Sequence, residues 1–187
     1  MRKKARKFIY ILVFVGFISL AFWLSEEASQ NEIVQNIISR YGYLGVLVAS
    51  FISGLNLIVP IPAITFLPAL VAAGLNHWLT IIVITIGMTM GDMVGYVIGH
   101  TGRHLASPPT IVGAMNQLEH IKNKYHINPI MVLLIYASVV PFPNETLVIP
   151  LSFLGYRFKQ ILPAVLAGNL IFNSLSALGL INLFRLF

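Results

Sequence analysis

Two carboxylates stand apart in this 187-residue chain because they fall inside long apolar stretches. Glu145 follows Pro141-Phe142-Pro143-Asn144, and Asp92 lies within the otherwise uncharged run Trp78–Gly99. Ionisable side chains at membrane depth are costly, so each is a functional candidate. Glu145 has the chemistry of a proton carrier or cation ligand. It also suits a helix N-terminus, where freed amides and the helix dipole favour a carboxylate. Asp92 reads either as a second coupling group or as a hydrogen-bond acceptor from Asn56 or Asn169 on a facing helix. Asn169, Asn173 and Ser176 share one helix face at spacings of four and three. They either bind substrate or hold helices together. Asn144 and Asn56 join them as candidate cavity-lining residues. Arg157 is placed either to hold a lipid phosphate or to anchor the chain at an interface.

Other chemistry is missing from the sequence. There is no cysteine, so thiol nucleophiles, disulfides and cysteine metal sites are excluded. His100 and His104 have metal-compatible spacing but no acidic partner, and no metal site or cofactor is expected. No Gly-rich nucleotide loop, supported Ser/His/Asp arrangement or nucleic-acid motif is present. The chain is not expected to be an enzyme or to bind nucleic acid. Asn144-Glu145-Thr146 matches a glycosylation sequon, but its expected depth argues against its use.

The elements that position these residues follow from composition. The chain has 12 Lys/Arg and 6 Asp/Glu, is 10% charged and 57% hydrophobic, and has a mean hydropathy of +0.85. Soluble domains are about 25% charged. A disordered chain is excluded, and a water-soluble domain is not expected. The net charge of +6 is not a nucleic-acid footprint, because Arg2, Lys3, Lys4, Arg6 and Lys7 form one N-terminal cluster. Phe8–Leu24 behind it is read as a retained transmembrane helix rather than a cleaved signal, since no small-x-small site follows. Ser25–Arg40 reads as an amphipathic helix lying on the membrane, striped by Ile33, Ile37 and Tyr41.

Tyr43–Asn76 is uncharged, too long for one crossing and too short for two with a turn. Pro60 and Pro62 break it, because proline lacks an amide donor and restricts the residue before it. A re-entrant pair of half-helices is expected. Trp78–Gly99 is a full crossing, and Gly87, Gly91, Gly95 and Gly99 give it a face for close backbone approach. Thr101–His126 is a second surface helix, with Ile111, Met115, Leu118 and Tyr125 on its apolar side. Asn128–Gly155 repeats the break at Pro141 and Pro143, and Phe158–Leu183 crosses again.

The two breaks are related. A gapless shift of 81 residues places Val59 on Val140, Pro60 on Pro141, Pro62 on Pro143 and Thr65 on Thr146. The same shift places Leu70 on Leu151, Gly74 on Gly155, Gly87 on Gly168 and Asp92 on Asn173. A re-entrant pair adds no crossing, so the second unit starts on the opposite side and the repeat is inverted. With the N-terminus inside, ten cations are cytoplasmic, and only Arg40 and Arg185 face out. That is a positive-inside distribution.

Tyr41-Gly42-Tyr43-Leu44-Gly45, Pro60-Ile61-Pro62 with Gly74, and Gly91-Asp92-Met93-Val94-Gly95-Tyr96-Val97-Ile98-Gly99 together resemble the DedA family, also called the VTT or SNARE-associated Golgi protein family. The resemblance runs from about Tyr41 to Asn173. It implies two facing re-entrant loops in an inverted repeat and an activity of moving lipids across the bilayer. Bacterial members are linked to undecaprenyl phosphate recycling, proton-motive force and envelope homeostasis. The family usually carries an acidic residue after the first Pro-x-Pro and two arginines around the second-loop proline. Here Ala63 and Ile64 follow the first break, and residues 137–145 contain no arginine.

The expected fold is therefore an all-α polytopic membrane protein. Residues 1–40 form a transmembrane helix and an external amphipathic helix. Residues 41–187 form a DedA-like domain with repeat units at about 43–100 and 127–183. The expected function is translocation of lipid or lipid-linked phosphate head groups across the plasma membrane, with the N-terminus cytoplasmic. Membrane lipids are the partners, protons the coupling ion, and a homo-oligomer is compatible. The alternatives are a proton-coupled transporter of a small solute or cation, and a non-transporting scaffold.

Overall fold

Glycine, proline and asparagine mark several of the helix boundaries among the described residues. The computed structural model describes residues 31–55, 62–102, 112–113, 115–120, 128–140 and 142–184. The expected N-terminal helix at 8–24 lies outside them, as do Asn56, Pro60, Pro141 and most of the 101–126 surface segment. The described residues contain no strand.

Helix α1, Glu32–Gly54, is interrupted at Gly42, whose φ of 47 and ψ of −134 are non-helical. Glycine adopts that backbone without steric cost. The surface segment and the first arm therefore separate at Gly42, where the sequence placed the change from polar to apolar. A short 3₁₀ turn, Ala63–Phe66, leads into α2, Leu67–Ala72. Helix α3 is His77–Gly102. Helix α4, Pro129–Val139, starts with Asn128 capping the amide of Ile130 and a proline in its first turn. Helix α5 is Glu145–Phe153, and α6 is Phe158–Phe184. Residues 115–120 are also helical, with Leu118 packed into the core around α4, α5 and α6.

Helices α3 and α6 are long and apolar enough to cross a membrane. Their 26 and 27 residues span about 39 and 40 Å at about 1.5 Å per residue. The arms are half that length. Tyr43–Gly54 covers 12 positions (43 to 54) and α4 has 11 residues, or about 18 and 16 Å.

Each pair of arms closes into a hairpin. At the open end of the first, the Asn76 amide donates to Tyr43 Oη at 3.0 Å. At its tip, the Ala63 amide donates to Ser53 Oγ at 3.0 Å. In the second, the side chains of Tyr136 and Thr146 are hydrogen-bonded across the break.

The first arm runs alongside the first half of α3. Gly87 lies against Leu47 and Ser50, and Gly91 against Gly54. A Cβ at Gly91 would sit 2.7 Å from Gly54 Cα, so only glycine permits this approach. The arm thus ends level with Gly91, 14 positions into α3 (77 to 91). The second half of α3 receives α5 instead. Gly95 meets Glu145, and Gly99 meets Ile149 and Ser152. Ser152 Oγ also donates to the Tyr96 carbonyl at 2.8 Å. The two hairpin tips converge near the middle of α3.

Local geometry recurs at the 81-residue offset. Gly74 and Gly155 have φ of 94 and 89. The Thr65 amide donates to the Pro62 carbonyl, and that of Thr146 to the Pro143 carbonyl. Leu75 donates to Leu70, and Tyr156 to Leu151, each at 3.1 Å. Helices α3 and α6 begin at His77 and Phe158, again 81 apart.

The buried residues combine an apolar core, including Ile64, Ile84, Leu133 and Val165, with a set of polar side chains. Ile82, Ile86, Met90, Val97, Met131, Ile135, Leu170 and Leu175 are exposed, whereas Thr85, Thr89, Asp92, Asn144, Glu145, Asn169 and Asn173 are buried.

Candidate functional site

Asp92 occupies the level at which the hairpin tips meet and is 1% exposed. Its Oδ2 accepts from Asn169 Nδ2 at 2.7 Å and from Asn144 Nδ2 at 3.0 Å. Asn144 Nδ2 also donates to Asn169 Oδ1 at 2.9 Å, and Asn169 Nδ2 to Thr89 Oγ1 at 3.1 Å. One residue from the second tip thereby joins both long helices. One turn further along α6, Asn173 Nδ2 donates to Thr85 Oγ1 at 3.0 Å and touches Met88 Sδ at 3.8 Å. Asn169 pairs with residues 89 and 92 while Asn173 pairs with 85 and 88, so α3 and α6 run antiparallel along this seam.

The sequence supplies these groups by helical spacing. Thr85, Thr89 and Asp92 at i, i+4 and i+7 form a polar stripe on α3. Asn169 and Asn173 at i and i+4 form the facing stripe on α6. Each amide offers two donors, and the hydroxyls and carboxylate accept them. Amides and hydroxyls buried in apolar surroundings are costly without such partners.

Glu145 is the first residue of α5 and is 3% exposed. It packs on Gly95, one turn from Asp92, close enough for the two carboxylates to interact electrostatically. Asn144 is the N-cap of α5, but its side chain makes no capping bond and turns to Asp92 instead. Asp92 Oδ1 and Asn173 Oδ1 are buried with no hydrogen-bond partner.

Among the sequence candidates, Asp92, Asn144, Asn169 and Glu145 come together, with Asn173 one turn away. Arg157 does not join them: it is exposed at the turn before α6. Pro62 precedes the 3₁₀ turn of the first tip, and Pro143 accepts the first amide of α5's opening turn. Gly87 and Gly91 face α1, and Gly95 and Gly99 face α5. Sequence reasoning missed Thr85 and Thr89. Their i, i+4, i+7 relation to Asp92 was the available signal.

No group of three or more His, Cys, Asp or Glu positioned for a metal ion occurs among the described residues. An open apolar groove of about 430 Å³ lies beside the network between α1, α3 and α6. Phe51, Ile86, Met90 and Leu166 line it, and so does Thr89, which belongs to the polar seam.

The chain matches no protein-family model, and comparisons with curated proteins and with solved structures give no significant match.

Proposed function

We propose that the chain is a polytopic membrane protein of DedA-like architecture that moves lipid or lipid-linked head groups across the bilayer. In this reading the two hairpins are re-entrant and enter from opposite faces as an inverted repeat. Half-length arms, exposed aliphatic side chains and the convergence of both tips at mid-α3 support it. Broken backbone at membrane depth is tolerated only where protein or a water cavity covers it, and here Asn144 and Glu145 of the second tip are buried.

The observation that carries the lipid assignment is the double role of Thr89. It lines the apolar groove and accepts from Asn169 in the polar seam. A lipid is the substrate class that needs both surfaces at once. Its tail lies in the groove, in contact with the hydrocarbon, while its head group passes along the seam. Asp92 and Glu145 are the ion-coupling groups of this mechanism, and Asn144 reports their state to the second tip.

The test is lipid flux in vesicles reconstituted with the full chain. Wild-type protein accelerates translocation of a fluorescent phospholipid, and Glu145→Gln, still folded, does not. Flux no faster than in protein-free vesicles, across phospholipid and polyprenyl-phosphate probes, sinks the lipid reading. Undiminished flux with Glu145→Gln removes that residue from the mechanism.

A further inference from the structure

Among the described residues, no lysine or arginine is buried with Asp92 where the tips converge. The groups around Asp92 are the amides of Asn144 and Asn169 and the carboxylate of Glu145. All are buried. The described lysine and arginine side chains, Arg40, Arg157 and Lys159, are all exposed. A buried carboxylate without a compensating charge is strongly unfavourable, and a second carboxylate beside it makes matters worse.

Hydrogen bonding shows where compensation is needed. Both amide donors go to Oδ2 of Asp92, while Oδ1 has neither donor nor acceptor. One turn away on the same seam, Asn173 Oδ1 is a second buried oxygen without a partner, its amide nitrogen being held by Thr85. Helices α1 and α4 also end at this level, and the unpaired carbonyls of helix C-termini favour cations. Broken helices of membrane transporters use such ends to hold coupling ions.

We propose that Asp92 Oδ1, with Glu145 beside it, holds a small dehydrated monovalent cation of the alkali-metal class, Na⁺ being the probe of choice. The residues are closed to solvent, which disfavours a strongly hydrated divalent ion that keeps its waters. The proposal rests on the reading above only in taking Asp92 and Glu145 as ion-coupling groups, and it stands whether or not a lipid is carried. When the ion binds, it offsets one of the two negative charges and secures Asn144 at the junction of α3 and α6. When it leaves, two buried carboxylates repel, and the second tip is released.

Thermal unfolding of the full chain in nanodiscs tests this without any transport assay. At fixed ionic strength and pH, Na⁺ replaces N-methyl-D-glucamine. The midpoint rises saturably, by roughly 5–10 °C once Na⁺ is about a hundred times its Kd. Asp92→Asn and Glu145→Gln each abolish or weaken the rise at least tenfold in concentration. Asn173→Ala weakens it as well, and serves where Asp92→Asn does not fold. Equal stabilisation by every salt overturns the proposal. So does a midpoint that responds to pH alone, which would make the ligand a proton, or an undiminished Na⁺ response in both carboxylate variants. A Na⁺ response in a protein without lipid flux would leave the ion site standing and remove the lipid reading.

Discussion

Asn144 donates to Asp92 across 52 residues of sequence, and this one bond ties the tip of the second hairpin to the middle of the first long helix. The same nitrogen reaches Asn169 on α6. Removing the Asn144 side chain leaves Asn169 Oδ1 without its donor and takes one of two donors from Asp92 Oδ2. A buried polar group left unsatisfied costs about 1–3 kcal/mol. At about 2–4 °C per kcal/mol for a chain of this size, Asn144→Ala lowers the unfolding midpoint by roughly 2–12 °C. Asn144→Asp is worse, because it brings a third carboxylate to the site. Midpoints of both variants in matched nanodiscs provide the check. An unchanged Asn144→Ala protein would mean that the bond does not hold the tip.

The glycine face of α3 makes a sharper prediction. Gly91 meets the backbone of Gly54, and Gly87 meets that of Leu47 and Phe51. Backbone cannot swing aside as a long side chain can, so the helices must separate. Gly91→Val and Gly87→Val abolish the monodisperse species in size-exclusion chromatography. Gly91→Ala costs about 1–3 kcal/mol, the usual range for overpacking. Gly113→Ala, with nothing within 4 Å of an added Cβ, is the control and behaves as wild type.

Gly74 and Gly155 offer a paired test of the repeat. Both have φ near +90 at equivalent turns, 81 residues apart, and both are followed by the same bond to a leucine carbonyl. A non-glycine residue in the left-handed region costs about 1–2 kcal/mol. Alanine at either position lowers the midpoint by a similar amount, and the double variant gives nearly the sum. Strongly unequal effects would show that the two turns are not structurally equivalent.

The contrast between these predictions and the site shows what the sequence carries. Proline spacing, turn glycines and the 81-residue shift are local constraints. They are written where they act, so the change of segment between Arg40 and Tyr43, where Gly42 interrupts α1, was legible. The 3.6-residue period likewise separates Thr85, Thr89 and Asp92 from Ile82, Ile86 and Met90. The choice of partners was not legible. Asn56 and Asn169 were equally suitable for Asp92 until α6 was packed antiparallel on α3. Asn144 is expected to line a cavity; it occupies the N-cap position of α5, and packing at the tip turns its side chain to Asp92. Which hairpin tip reaches Asp92 depends on helix–helix packing between the two units, which no local pattern encodes.

Sidedness follows from the same architecture and is testable because the chain has no native cysteine. The turn at Gly74–Asn76 lies at the start of α3, and the turn at Gly155–Arg157 lies beside its far end, through the contacts of Gly99 with Ser152 and Gly102 with Phe153. About 39 Å of apolar helix separates them, more than the roughly 30 Å hydrocarbon core. Single cysteines at Asn76 and Arg157 should therefore react with an impermeant maleimide from opposite faces of sealed vesicles. Under the proposed re-entrant arrangement, cysteines at Ser53 and Thr146, near the tips, should react slowly from both faces. Rapid labelling of Ser53 from the face that labels Arg157 would turn each arm into a full crossing. Labelling of Asn76 and Arg157 from one face would remove α3 from the membrane altogether.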